Sequence, residues 1–372
     1  MRNKILIILL AALALVALDI SPAVSQIVYG QPPAAGTHVV YSHWKLEQGG
    51  DEVTVNQFMI PLTGFVPLQD NFEMGFYIAN SSNTLKAGSE FDLNGLGDAR
   101  VQANHSFADD QLLVSIGLNL PTGKRELDAE EALLLDVLST NFLDLPMRRF
   151  GEGFGFNILL GGAAVLSEGI RGGIGLSYQY TGTYTPYENL GDYNPGDVFS
   201  ANVGADFDRG DVTWSLDFIY SLYTTDQFDN INTFRQSPSF DSRLSGQWSG
   251  EKVTLSGLVR YVLRGDNKEY DTTGAELDAF KLYGNEFTVG GAVSYMFSPQ
   301  WFVTPATDLH IVTKSNRGLD NATVFGIGAS LGRTFQETVR VNGGFKIYTG
   351  NADGGNIDVT GYQITFDLTA AM

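Results

Sequence analysis

No cysteine occurs anywhere in the 372 residues. Disulfides, thiolate nucleophiles, thiolate-bound metals and lipid attachment through a cysteine are all excluded. Long apolar runs are equally scarce. The longest, Ile5 to Leu18, covers about 14 residues, short of the roughly 18 to 20 that a spanning helix needs. Basic residues are in the minority, 23 Lys and Arg against 42 Asp and Glu, and a formal charge of −19 argues against nucleic acid as a partner. Only four histidines are present, which leaves little for imidazole catalysis, and no cofactor or metal site is expected.

What is present at the N-terminus fits export. Arg2 and Lys4 precede the apolar run, and Ala23-Val24-Ser25 offers small residues at cleavage spacing, so residues 1–25 read as a signal peptide, with a membrane-anchored helix as the alternative. Cleavage before Gln26 would remove Arg2, Lys4 and Asp19 and make the chain more acidic by one charge. An exported chain without further spanning helices predicts a transmembrane antiparallel up-and-down β-barrel in a Gram-negative outer membrane, although a secreted β-sandwich would share its 43 Gly, 16 Tyr and 24 Phe. Residues 26–37 are expected as a short periplasmic segment and 38–372 as the barrel.

The strand pattern supports this. In "DVTWSLDFIYSLY", residues 211–223, Val212, Trp214, Leu216, Phe218, Tyr220 and Leu222 share one face, while Asp211, Thr213, Ser215 and Asp217 share the other. The same period of two runs through Phe72, Met74, Phe76 and Ile78, through Ile174, Leu176, Tyr178 and Tyr180, and through Tyr362, Ile364, Phe366 and Leu368. Short turns such as "ADDQ" (108–111), "SEGI" (167–170), "DRGD" (208–211), "SGEK" (249–252), "FSPQ" (297–300) and "FQET" (335–338) alternate with longer polar loops. That asymmetry belongs to membrane barrels with one rim of tight turns and one of long loops, and it turns the aromatic face toward lipid. The pattern predicts sixteen strands, or fourteen or twelve, because the first two legs are weakly patterned and carry Pro61.

Two resemblances add to this reading. "GYQITF", with Gly361, Ile364 and Phe366, resembles the C-terminal signal read by the barrel-assembly machinery, which implies that machinery as a partner; it departs from the pattern by continuing through "DLTAAM". "NGLGDARVQANHSF", the turn "ADDQ" and "LLVSIGLNLPTGK" resemble the hairpin of the outer-membrane channel family grouped under the MetA pathway of phenol degradation. The likeness covers residues 94–124 and rests on Gly95, Gly97, Asp98 and Leu120-Pro121-Thr122-Gly123. It implies a channel for small, often hydrophobic or aromatic, solutes. A more distant likeness to long-chain fatty-acid transporters lacks their N-terminal hatch, and a plug domain with 22 strands would not fit in this chain.

Apparent chemical motifs do not survive placement on strands. "GIGASLG" (326–332) has the wrong spacing for a nucleotide fingerprint and no βαβ context, and "GLNLPTGK" (117–124) has one residue too many for a phosphate loop. "GNADGGNID" lacks the spaced acids of a calcium loop. Asp308-x-His310 has the spacing of the carboxylate–imidazole half of omptin-type proteases, but the second acid pair such enzymes need falls at the opposite turns, at Asp109-Asp110 and Asp206-x-Asp208. No enzyme activity is expected, and a lumen ion pair is the preferred reading of Asp308 and His310.

The expectation is therefore a passive outer-membrane channel for small solutes, with a closed structural or adhesive barrel as the alternative and a hydrolase last. Strand parity places Glu73, Asp98, Asp206, Asp217, Asp241, Glu286, Asp308 and His310 toward the lumen, with Arg100, Arg243, Arg260, Arg340 and Lys346. The acid excess then lies in the loops, as a solvated rim or bridged through divalent cations to lipopolysaccharide. The insertion from Pro121 to Glu152 contains "DAEEALLLDVLS", which predicts a short helix with a capping box at Asp128 and Glu131 and an apolar face of Leu133, Leu134, Val137 and Leu138. Its polar face carries no Lys or Arg, so it is expected to fold into the mouth of the barrel and not onto the lipid interface.

Overall fold

The computed structural model describes residues 33–188, 191–277, 279–315, 320–335 and 338–371. The signal-peptide reading of residues 1–25 and most of the 26–37 segment lie outside the described residues. Sixteen antiparallel legs follow one another: β1 Ala34–Gln48, β2 Asp51–Gln69, β3 Phe72–Ala87, β4, β5 Leu112–Leu120, β6 Gly155–Ser167, β7 Ile170–Thr181 and β8 Val198–Arg209. β9 Val212–Tyr223, β10 Ser239–Ser249, β11 Val253–Arg264, β12 Glu286–Met296, β13 Trp301–Val312, β14 Ala322–Phe335, β15 Val339–Ala352 and β16 Ile357–Ala371 complete them. β4 is broken into Ser89–Leu96 and Ala99–Phe107, both paired with β3. β16 pairs with β1, Ile364 opposite Tyr41 and Phe366 opposite Val39, so the sheet closes and has no free edge.

The period of two sets the faces as expected. On β9, Leu216, Tyr220 and Leu222 stand outward at 38–45% exposure, while Ser215 donates to Asp206 inside the barrel at 2.6 Å. Outward apolar side chains continue around the wall, among them Leu160, Ile174, Phe325 and Ile347. A closed barrel with an apolar outer belt and a polar interior is a transmembrane barrel. Among the described residues no helix is long and apolar enough to cross a membrane.

The loop rim departs from simple alternation. Three of its connections are tight, at Gly49-Gly50, Gly88 and residues 353–356, and there the strands themselves run long, 19 residues in β2 and 16 in β3. β1 also begins at Ala34, ahead of the expected residue 38. The weak patterning of β1 and β2 has a physical cause. Their inward side chains Val40, Trp44, Val55 and Met59 are apolar and buried, so both faces read as hydrophobic. At Pro61, which has no N–H to give, the β1–β2 ladder skips from Gly36–Thr63 to Val40–Met59, and Thr37 Oγ1 donates to the Pro61 carbonyl at 2.6 Å.

Candidate functional site

The buried apolar side chains of the upper lumen face the insertion between β5 and β6. Its roots are held at the break in β4. The Asp98 carboxylate, 7% exposed, accepts from the backbone N–H of Gly123 at 2.8 Å and of Glu152 at 2.7 Å, and from Asn119 Nδ2 at 2.8 Å. The Asp98 N–H donates to Phe150 O at 3.0 Å, and Thr122 Oγ1 accepts from Ala99 N at 2.8 Å. Gly123 is required by close approach, since a Cβ there would sit 2.6 Å from Phe150 O. Asp98 thus faces inward as expected but is consumed as an anchor; it is not a free lumen charge. The residues carrying the MetA-family resemblance are those that root the insertion.

From those roots the insertion crosses the lumen. Helix α1, Ala129–Leu138, starts at the expected capping box, with Asp128 Oδ1 accepting from Glu130 N and Glu131 N at 2.9 Å. Lys124 pairs with Glu131 just before it. Leu134 and Leu138 are fully buried, with Leu135 and Val137 packed beside them, against a cluster that includes Val40, Trp44, Leu85, Leu93 and Val359 of the wall. Leu133 corrects the expectation: it is 50% exposed, because the buried stripe is centred on Leu134 and Leu138 and takes in Leu135 instead. Beyond the helix, Phe142, Leu143, Leu145, Met147 and Phe150 are all at most 5% exposed. Gln57 of β2 holds Met147 with two hydrogen bonds, and Asn141 Nδ2 reaches Glu286 of β12 at 2.5 Å. The insertion is therefore fixed to two different stretches of wall.

Inside the barrel, six of the predicted charges stand in ion pairs. Asp241 accepts from Arg243 at 2.7 Å and Arg260 at 2.8 Å, Arg264 pairs with Glu286 at 2.8 Å, and Lys346 pairs with Asp308. The Lys346–Asp308 contact passes over β14, where Gly326 leaves room: a Cβ there would lie 2.7 Å from Lys346 Cε and 2.8 Å from Asp308 Oδ1. Gly326 of "GIGASLG" therefore serves side-chain passage, while Gly328 admits the Phe345 carbonyl and Gly332 the Phe302 ring. Glu73 is buried and accepts from Asn104 at 2.7 Å. Asp217 and Arg100 face the lumen exposed, and the Arg340 guanidinium lies 4.3 Å over the Phe302 ring. His310 Nε2 is buried on the same wall as Asp308, whose carboxylate is engaged by Lys346 and not by the imidazole. The pair is thus not an acid–base couple.

Gly361 turns inward, where a Cβ would meet Trp44 Cε3 at 2.7 Å, whereas Ile364 and Phe366 are 48% and 46% exposed on the outer face of β16. Sequence parity also missed inward charges that it had the means to find: Arg264, four residues beyond Arg260, and Arg171, opposite Asp206 on β7. Gln57 had no signal beyond its position between apolar neighbours.

A second cluster lies at the mouth, outside the membrane-spanning legs. Three loops there build a four-stranded sheet from Tyr193–Asn194, Asp226–Phe228, Ile231–Arg235 and Lys268–Glu269. The insertion is tied to this sheet's first loop, since Leu127 N donates to Pro186 O at 3.0 Å and Glu188 N to Leu127 O at 2.9 Å. Tyr193 stacks edge-on against Tyr184 at 5.8 Å and donates to Asp226 at 2.5 Å. Arg149 pairs with Glu152 at 2.8 Å while its side chain stays 72% exposed. The nearby Glu152 carboxylate raises the Arg149 pKa, against the burial that lowers it. Burial pushes the Tyr283 hydroxyl up, with Arg149 and Asp136 of α1 the principal charges acting on it.

Fold and site together define a closed transmembrane barrel whose upper lumen is occupied by its own insertion. No family model matches the chain, and no curated protein matches it. Among solved structures it is similar to a "CymD monoaromatic hydrocarbon channel", at 11% identity over 92% of this chain and 89% of that one, with a TM-score of 0.45. It is also similar to a Pseudomonas aeruginosa FadL homologue, at 8% identity over 91% and 90% with a TM-score of 0.46. An anion-selective porin from Comamonas acidovorans matches at 10% identity over 91% and 99%, with a TM-score of 0.42. These are distant likenesses of fold.

Proposed function

We propose that this chain is an outer-membrane channel through which small solutes diffuse passively, past a constriction made by the 121–152 insertion. The observation that carries this reading is the insertion itself: it is pinned inside the barrel at Gln57 and Glu286 and, among the described residues, its apolar cluster takes in none of the polar inner wall of β8 to β10. A narrowed polar path selects by width and field, with no covalent chemistry required. The closed even-stranded barrel fits the outer membrane of a Gram-negative cell, with the loop rim outside and lipopolysaccharide around it. The family resemblance fits as well, because its residues build the root of the constriction.

The same geometry supports a narrower solute class. The apolar side of the insertion is spent against the wall, and of its large apolar side chains only Leu133 is exposed among the described residues. Small polar solutes suit this path better than the hydrophobic or aromatic ones that the resemblance implies. Purified protein reconstituted in a planar bilayer should give discrete conductance steps. Folded barrel without conductance would leave the closed structural barrel in its place.

A further inference from the structure

The mouth cluster has a chemistry of its own, which the channel reading does not use. Its parts come from separate pieces of chain held together by main-chain bonds. Tyr184 and Tyr193 exchange backbone hydrogen bonds at 2.9 and 2.8 Å, and a Cβ on Gly153 would touch Tyr184 Cβ at 3.2 Å. The insertion segment carrying Arg149 and Glu152 therefore lies directly against the tyrosine-bearing loop. The Asp226 carboxylate is fixed in place by Tyr193 and by Gly196 N–H at 2.8 Å.

The electrostatics decide what such a site can hold. A cationic ligand would have to compete with Arg149 for Glu152, or with the Tyr193 hydroxyl and Gly196 N–H for Asp226. An anionic ligand would meet Glu152 and Asp226. A purely apolar ligand would gain the ring faces but would desolvate a guanidinium and two carboxylates without giving hydrogen bonds in return, at a cost of several kcal/mol. A neutral molecule with hydroxyls on its edges and C–H groups on its faces meets none of these penalties. Its hydroxyls both donate to carboxylates and accept from a guanidinium, and its faces lie on tyrosine rings. Below it, Asp241, Arg243, Arg260, Arg264 and Glu286 on β10 to β12 offer a similar alternation of acceptors and donors.

The geometry points to a binding site for neutral polyhydroxylated solutes, sugars or polyols, at the mouth, formed by Tyr184, Tyr193, Arg149, Glu152 and Asp226. It rests on the channel reading for its place in transport, but not for the binding itself. The site concentrates the solute above the constriction.

The test uses the whole folded barrel and a neutral maltodextrin as probe. Calorimetry of the micelle-solubilised protein should show saturable binding, and the same probe on the loop side should reversibly block ion current in a bilayer. Tyr184→Ala should weaken binding about tenfold and Tyr184→Phe far less, since the ring face carries the contact. Heat-modifiability of each variant confirms that the barrel is folded. Conductance without maltodextrin binding or block overturns the sugar site and leaves the channel intact. Binding without conductance supports the site and overturns the channel. Tighter binding of benzoate or of an alkylammonium ion than of maltodextrin shows that the ligand class is wrong.

Discussion

Gln57 of the wall and Met147 of the insertion pair like two peptide units. Gln57 Nε2 donates to Met147 O at 2.7 Å and Met147 N donates to Gln57 Oε1 at 2.9 Å, with both residues buried. One side chain on the wall thus satisfies both main-chain groups of a residue in the insertion. Replacing it by an apolar side chain leaves a buried N–H and C=O unpaired, at about 1–3 kcal/mol each. Gln57→Leu is therefore expected to fold and remain heat-modifiable while its insertion detaches intermittently. Single-channel records should show excursions to higher conductance, and a trace indistinguishable from the parent would show that this contact does not hold the insertion.

Asp98 takes three donors, two of them main-chain N–H groups from opposite roots of the insertion. Asp98→Asn keeps the shape but turns one acceptor oxygen into a donor that faces other donors. The insertion should then become more sensitive to added protease than the short turns are, by roughly tenfold for a loss of about 1.4 kcal/mol. Equal sensitivity in parent and variant would mean that the roots are held mainly by Thr122 and the backbone.

The strands were legible because lipid and lumen impose opposite demands on alternate side chains, as on β9, where Leu216 and Asp217 go to opposite faces. Legibility failed where one demand was missing. Trp44 and Val55 face the insertion and not water, so β1 and β2 lost their contrast. The capping box of α1 was legible from four residues, but its buried stripe was not, because Leu133 to Leu135 are three leucines in a row and only the wall decides which turn inward. Contacts between strands and loops distant in sequence left no local trace. Lys346 meets Asp308 from two strands away, and Asp226 meets Tyr193 from another loop.

The closing strand makes a separate prediction. Phe366 is outward on β16 opposite Val39 and takes no part in the lumen. We expect Phe366→Ala to reduce the amount of folded, heat-modifiable barrel in the membrane fraction several-fold, with export unchanged. Undiminished yield would remove "GYQITF" as an assembly signal.

Ion preference follows from the inner wall. Arg171 and Arg264 join the expected bases, and Asp367, paired with His38, joins the acids, so the inward charges nearly balance. The acidic loops then leave only a weak cation preference, which should fade as salt rises and the Debye length falls from about 10 Å at 0.1 M to about 3 Å at 1 M. Reversal potentials in a salt gradient measure this directly. A strong preference for either sign would contradict the paired wall.

The insertion as constriction is the centre of the account, and one deletion tests it. Removing residues 126–147 and joining the ends with a short Gly-Ser linker leaves β1 to β16 and the Asp98 anchor in place while taking away α1, Phe142, Leu143 and Met147. In a variant that is still heat-modifiable, single-channel conductance should rise about twofold or more, as expected when the narrowest part of a pore is removed. Unchanged conductance in that folded barrel would contradict the account.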